Sequence, residues 1–186
     1  MERVSTLKLE VLKKYMGQVF IETGTYDASG TLVAVEAGFP TIITMEICPR
    51  LFWFSRKRLY GIDSVTALIG DSAVLLPGVL EDVQVQITFW LDAHQPQDNT
   101  QGPPRGSQRG YTWSNSPLRI ELLAIAKHPI KNHFILVDDV DLMGTGHLDG
   151  ATLDEVKNMI LAINPGYQFA LENGNGPGTV LAAFVP

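Results

Sequence analysis

The sequence predicts a doubly wound α/β domain whose mostly parallel seven-stranded sheet ends in a C-terminal antiparallel hairpin. Short apolar runs, rich in β-branched and aromatic residues, alternate with helical segments along most of the chain. Strands separated by helices pair in parallel through right-handed crossovers. The last two runs are joined only by Asn173 to Gly178 (NGNGPG), a turn-forming cluster too short for a crossover, so they form a hairpin at a sheet edge. The chain has 186 residues, 45% of them hydrophobic and 18% charged, which suits one substantial core better than two small ones. Residues 1–186 are therefore expected to form a single domain.

Each element follows from local pattern. Met1 to Gly17 alternates charge with Leu and Val and is expected as an N-terminal extension or helix. Gln18 to Gly24 (QVFIETG) reads as the first strand, closed by a glycine turn. Ser29 to Gly38 reads as a helix offering Leu32, Val33 and Val35 to the sheet, and Gly38 with Pro40 ends it. The second strand is Thr41 to Ile47 (TIITMEI). Pro49 suits the first turn of the next helix, which continues from Leu51 to Tyr60 and closes at Gly61. Val65 to Asp71 is the third strand, Ala73 to Asp82 a helix interrupted by Pro77, and Gln86 to His94 (QITFWLDAH) the fourth strand.

Residues 95–116 carry Gln, Pro, Gly, Asn and Ser with no apolar period, and are expected as a long substrate-side loop. Pro117 opens a helix through Lys127 with Leu118, Leu122, Ile125 and Ala126 near one face, and His133 to Val140 is the fifth strand. A second loop spans Asp141 to Gly150. Thr152 and Glu155 form a capping box at the start of the helix through Ile163, and Tyr167 to Glu172 and Thr179 to Phe184 are the hairpin strands.

The net charge of −6 repels phosphate backbones and anionic lipid, so neither nucleic acid nor a membrane is an expected partner. Arg50, Arg56, Lys57 and Arg58 cluster, and are read as the solvated side of a helix. Cys48 is alone, which excludes an internal disulfide and a cysteine-rich zinc site. No signal-peptide pattern opens the chain, and no apolar run approaches the roughly 20 residues needed to cross a bilayer. A cytoplasmic protein acting on a small molecule, with a homodimer as the possible assembly, is the expectation.

In an open parallel sheet, ligands sit beyond the carboxyl ends of the strands, where helix N-termini point their free amides into the crevice. The first strand ends in Glu22-Thr23-Gly24-Thr25-Tyr26-Asp27. There Gly24 permits close backbone approach, and Glu22 offers a carboxylate to an ammonium group. Glu46 near the end of the second strand lies where an acidic side chain meets ribose hydroxyls in folds of this type, and Asp71 with Ser72 ends the third. Gly24 to Gly30 lacks the Gly-x-Gly-x-x-Gly spacing of a dinucleotide site.

Five strand and helix units capped by a hairpin, with these acidic tips, resemble the class I S-adenosylmethionine-dependent methyltransferases and their Rossmann-like fold. The resemblance runs from about Val19 to the C-terminus. Glu22-Thr23-Gly24 is similar to the family's first motif, with Ala28 where a further glycine often stands and Gly30 two residues later. The resemblance implies S-adenosylmethionine as cofactor, met by Glu22, Thr23, Gly24, Thr25, Tyr26, Glu46, Ile47, Asp71, Ser72 and Asp92.

A second constellation is Asp92-Ala93-His94 after the fourth strand and Asp138-Asp139 after the fifth, which converge if those strands pair. Clustered carboxylates attract a divalent cation such as Mg2+, and His94 admits a transition metal. Asp92, Asp138 and Asp139 resemble the metal-binding aspartates of macrocin-type O-methyltransferases. That resemblance implies a cation holding a substrate hydroxyl. His94 is the expected general base, with Asp92 as its competitor. His128, His133 and His147 lie in a helix-to-strand connection and a loop, and are poorer candidates. Arg105, Arg109, Tyr111 and Trp113 of the long loop could contact an anionic or ring-shaped acceptor. The reading is a methyltransferase acting on a small-molecule hydroxyl. A metal-dependent hydrolase and a non-catalytic S-adenosylmethionine-binding protein stand as alternatives.

Overall fold

The computed structural model describes residues 6–94 and 116–186. Seven strands, β1 (Val19–Thr23), β2 (Ile42–Glu46), β3 (Val65–Ile69), β4 (Ile87–Leu91), β5 (Phe134–Val137), β6 (Gln168–Glu172) and β7 (Val180–Phe184), form one sheet in the order β3-β2-β1-β4-β5-β7-β6. β1 to β5 are parallel, while β7 runs antiparallel to both β5 and β6. The helices are α1 (Leu9–Leu12), α2 (Ser29–Ala37), α3 (Pro49–Arg58), α4 (Ser72–Asp82), α5 (Leu118–Lys127) and α6 (Leu153–Ile163). The sheet, its terminal hairpin and the succession of elements agree with the sequence reading. Among the described residues no helix is long and apolar enough to cross a membrane.

Side chains alternate across each central strand, so two apolar layers form. Ile21, Phe89, Leu91, Ile135, Val137 and Leu181 face one layer, which α4, α5 and α6 close with Leu76, Leu122, Ile125, Val156 and Ile160. Phe20, Trp90, Leu136, Val180 and Ala182 face the other, closed by Leu12 and Tyr15 near α1 and by Ala34 of α2. The N-terminal segment is stitched to the sheet: Gly17 N donates to Thr88 Oγ1 at 2.8 Å, and that hydroxyl donates to Tyr15 O at 2.6 Å.

Two local expectations change. Pro77 does not interrupt its helix: α4 runs through it. Buried Leu76 and Leu80 hold it to the core on both sides of the missing amide hydrogen bond. α2 turns Thr31 and Ala34 to the sheet, leaving Leu32, Val33 and Val35 half-buried. At α6, Thr152 Oγ1 accepts from Glu155 N at 3.2 Å, and the Glu155 carboxylate, which grips Arg119 at 2.6 and 2.8 Å, is also held below its ordinary pKa by the Thr152 amide, as a capping box requires. Of the long loop, residues 95–115, with Arg105, Arg109, Tyr111 and Trp113, lie outside the described residues.

His128 and His133 sit at the amino ends of β4 and β5, away from the strand tips, 2% and 0% exposed. Their partners settle the proton positions. His128 Nε2 lies 2.6 Å from Val83 O, which only accepts, so it carries the proton. His128 Nδ1 then accepts from Ile130 N (3.2 Å) and His133 Nε2 (2.9 Å), while His133 Nδ1 accepts from Ile87 N (3.1 Å). A proton added at His133 Nδ1 would oppose the Ile87 N–H. Burial, with His128 and Lys131 nearby, pushes His133 down to about 4. The folded state therefore binds fewer protons than the unfolded chain between pH 6.5 and about 4, and this contribution to stability is lost as pH falls through that window. The stability difference between wild type and His133→Gln, from urea denaturation, is expected to shrink by about 2–3 kcal/mol between pH 7 and pH 4. A pH-independent difference would contradict it.

Candidate functional site

The sheet order reverses between β1 and β4, since β2 and β3 lie to one side of β1 and β4 and β5 to the other. Their carboxyl ends, Thr23 and Leu91, are paired in register, so the two chain exits open side by side. Gly24 leaves β1 with φ +85°, and a Cβ there would lie 2.7 Å from Asp92 O. Only glycine fits both the backbone conformation and that approach. The turn that follows holds Tyr26 and Ala28 at φ 48° and 67°, left-handed values uncommon for side-chain-bearing residues.

Hydrogen bonds to three acidic tips hold this turn and its neighbours. Glu22 is 1% exposed and faces the α2 layer, where Oε2 accepts from Thr31 Oγ1 at 2.5 Å and Thr44 Oγ1 at 2.6 Å. Because Thr44 gives its proton to Glu22, the 2.5 Å contact between Thr25 and Thr44 is donated by Thr25. Burial pushes Glu22 up to about 7, against the two hydroxyls that favour its charge. Glu46 is 5% exposed; its oxygens accept from Tyr26 N and Cys48 N, each at 2.8 Å. Its pKa is raised by burial, which those amides oppose. Asp71 caps α4 by accepting from Ala73 N at 2.9 Å, and Ser72 Oγ donates to Glu121 Oε1 at 2.6 Å. The three tips lie on adjacent strands, β1, β2 and β3. Thr23, Thr25 and Ser72 are buried beside them, while Tyr26 and Ile47 are half-buried.

Across the crevice, β4 and β5 pair in parallel with Leu91 opposite Val137, bringing Asp92 and Asp138 to neighbouring exits. His94 Nε2 lies 2.8 Å from Asp139 Oδ2 and 3.7 Å from Asp92 Oδ1, and one ligand-type atom from each of the three lies within 4.8 Å of the others. Asp138 stands apart from that group. It is 3% exposed, and its Oδ2 has no hydrogen-bond partner. Burial raises Asp138 to about 6, with the Thr6 hydroxyl opposing and Asp139 adding to the rise. Asp92 keeps 24% of its side chain exposed, yet its enclosed position and the charges of Asp138, Asp139 and Glu22 hold it well above the ordinary carboxylate range.

Glu121 is the site residue that sequence reasoning missed. It lines a cavity with Asp92, His94, Asp138 and Asp139, is 1% exposed, and is raised by burial to about 7, with Ser72 and Thr23 opposing. Its signal was present: it shares the buried face of α5 with Leu118, Leu122 and Ile125, a carboxylate within an apolar stripe.

A Cβ at Gly30 would collide with Glu22 Oε1, and that carboxylate is pinned by two hydroxyls. Gly30→Ala is therefore expected to destabilise the protein by about 1–3 kcal/mol through overpacking. In a Glu22→Ala background the same change should cost at least about 1 kcal/mol less, a coupling read by a double-mutant cycle in urea. Equal costs in both backgrounds would mean that the two groups do not collide.

No family model and no curated protein matches the sequence. Solved structures do. A methyltransferase from Podospora anserina solved with SAH is 16% identical with TM-score 0.61, covering 96% of this chain and 76% of its own. An O-methyltransferase from Bacillus cereus in complex with SAH is 12% identical with TM-score 0.62, over 96% and 78%. The O-methyltransferase of Streptomyces achromogenes involved in tomaymycin synthesis, solved with SAM, is 13% identical with TM-score 0.56, over 95% and 77%. This chain has the Rossmann-like fold of the class I S-adenosylmethionine-dependent methyltransferases.

Proposed function

We propose that the chain binds S-adenosylmethionine in the crevice above β1 and β4 and passes its methyl group to a hydroxyl of a small molecule held above β4 and β5. The observation that carries this reading is the meeting of two constellations at one reversal of strand order. The Glu46-braced turn lies on one side, and the Asp92, His94 and Asp139 group on the other. Likeness of fold to enzymes solved with SAM and SAH supports the choice of cofactor.

On the cofactor side, Thr23, Gly24, Thr25 and Tyr26 form the turn against which the methionine part rests. Glu22 and Glu46 act from beneath, holding that turn to Thr31, Thr44 and Cys48. Ile47, Asp71 and Ser72 border the adenosine end, where Asp71 caps α4 through Ala73 N. When bound, S-adenosylmethionine supplies an activated methyl on sulfur, and a divalent cation lowers the pKa of a hydroxyl it touches. The protein's share is alignment of the acceptor with that methyl.

The residues present suit a divalent cation. Asp92, His94 and Asp139 offer two carboxylate oxygens and one imidazole nitrogen, a set that magnesium or manganese accepts and that relieves the repulsion around Asp92. Asp138, buried and hydrogen-bonded to Thr6, supports the group from behind. In the cation-free protein, His94, held by Asp139, is placed to take the acceptor's proton, with Asp92 beside it. A net charge of −6 and a lone buried Cys48 support a cytoplasmic setting and a small molecule, rather than nucleic acid, as acceptor.

Calorimetric titration with S-adenosylmethionine and its demethylated product, with and without Mg2+ or Mn2+, tests both halves. The expected result is saturable binding of both nucleosides by wild type. Asp139→Asn and His94→Ala should each weaken Mn2+ at least tenfold while changing cofactor affinity less than threefold. Affinity for Mn2+ should rise with pH as Asp92 loses its proton. A protein that binds Mn2+ and neither nucleoside would favour a metal-dependent hydrolase.

A further inference from the structure

Glu121 is 1% exposed on the core face of α5, where an apolar side chain would complete the stripe. Its tether to Ser72 Oγ, 2.6 Å from Oε1, accounts for one oxygen only. The other, Oε2, is buried without a hydrogen-bond partner. So are Oδ2 of Asp138, which lines the same cavity, and Oγ1 of Thr23 at the tip of β1. Thr23 Oγ1 stands beside Glu121 and favours its charged form, but in a geometry too poor to satisfy Oε2. Buried acceptors left open in this way are costly and call for a donor.

We infer that Glu121 binds the acceptor, its open Oε2 and Asp138 Oδ2 receiving hydrogen bonds from hydroxyl or ammonium groups of the molecule to be methylated. This rests on the methyl-transfer reading given above. Ser72 opens α4 beside Asp71, so its bond to Glu121 fixes the acceptor end of the cavity relative to the adenosine end. The lining defines the chemical class. Asp92, Glu121, Asp138 and Asp139 set four carboxyl groups around one cavity, which disfavours an anionic acceptor and suits a neutral polyhydroxylated or amine-bearing one.

The test counts labelled methyl groups transferred from S-adenosylmethionine, with Mg2+ present, to glucosamine, glucose and glucuronate, three probes sharing one ring. SAH affinity is measured in parallel. Wild type is expected to methylate glucosamine or glucose at least tenfold better than glucuronate. Glu121→Gln keeps the shape and the bond to Ser72 but turns an amide donor toward the cavity. It should raise KM for the favoured probe at least tenfold and leave SAH affinity within twofold. Unchanged KM in Glu121→Gln would mean that a trapped water serves Oε2, and it overturns the inference. So do loss of SAH affinity in that variant, which marks a structural role, a preference for glucuronate, and a wild type that binds SAH but methylates neither glucose nor glucosamine. A wild type that fails to bind SAH sinks the methyltransferase reading instead.

Discussion

Everything at the strand tips depends on the parallel pairing of β1 with β4 at the centre of the sheet. That pairing sets Thr23 level with Leu91 and sends both chains out of the same edge, one toward α2 and the other toward Asp92 and His94. The two backbones then pass so closely that Gly24 leaves no room for a side chain against Asp92 O. The crevice is thus a product of topology first and of residue chemistry second. Any protein with this strand order has an opening here, and the polar groups decide what the opening holds.

Those polar groups are assembled at an energetic cost. A carboxyl raised from 4.5 to about 7, as at Glu22 and Glu121, represents about 3 kcal/mol each in favour of the neutral form. Stability from these two is complete below the unfolded value and is lost as pH rises through the folded one, opposite in sign to the buried His133. Falling pH therefore strains the amino end of the sheet, while a rise from 4.5 to about 7 strains the carboxyl end. A fold selected for packing alone would have placed apolar residues at 22 and 121. Retaining buried acids is the kind of local inconsistency that accompanies a working site.

Much of this was legible in the chain. Short apolar runs bounded by turn residues identified all seven strands, and NGNGPG forced the hairpin, because these signals are local and strong. The pairing of Asp92 with Asp138 followed from adjacent parallel strands. What the sequence could not convey was orientation. Glu22 and Glu46 read as tips open to a ligand, but alternation along β1 and β2 turns them into the α2 layer, where hydroxyls and amides engage them. The metal-ligand geometry groups His94 with Asp92 and Asp139, while Asp138 faces Thr6, a distinction of side-chain direction between two consecutive aspartates. Glu121 is masked in PLRIELLAIAK by the apolar residues that share its face of α5.

Glu46 joins the amides of Tyr26 and Cys48, two turns separated in sequence by a whole helix and strand. One carboxylate thereby fastens the loop after β1 to the loop after β2, and with it the turn that carries the left-handed Tyr26 and Ala28. On the proposed reading, this bank of the crevice is a finished mould, so a nucleoside entering it displaces solvent and orders little backbone. Whatever adaptation different guests require is left to the opposite bank.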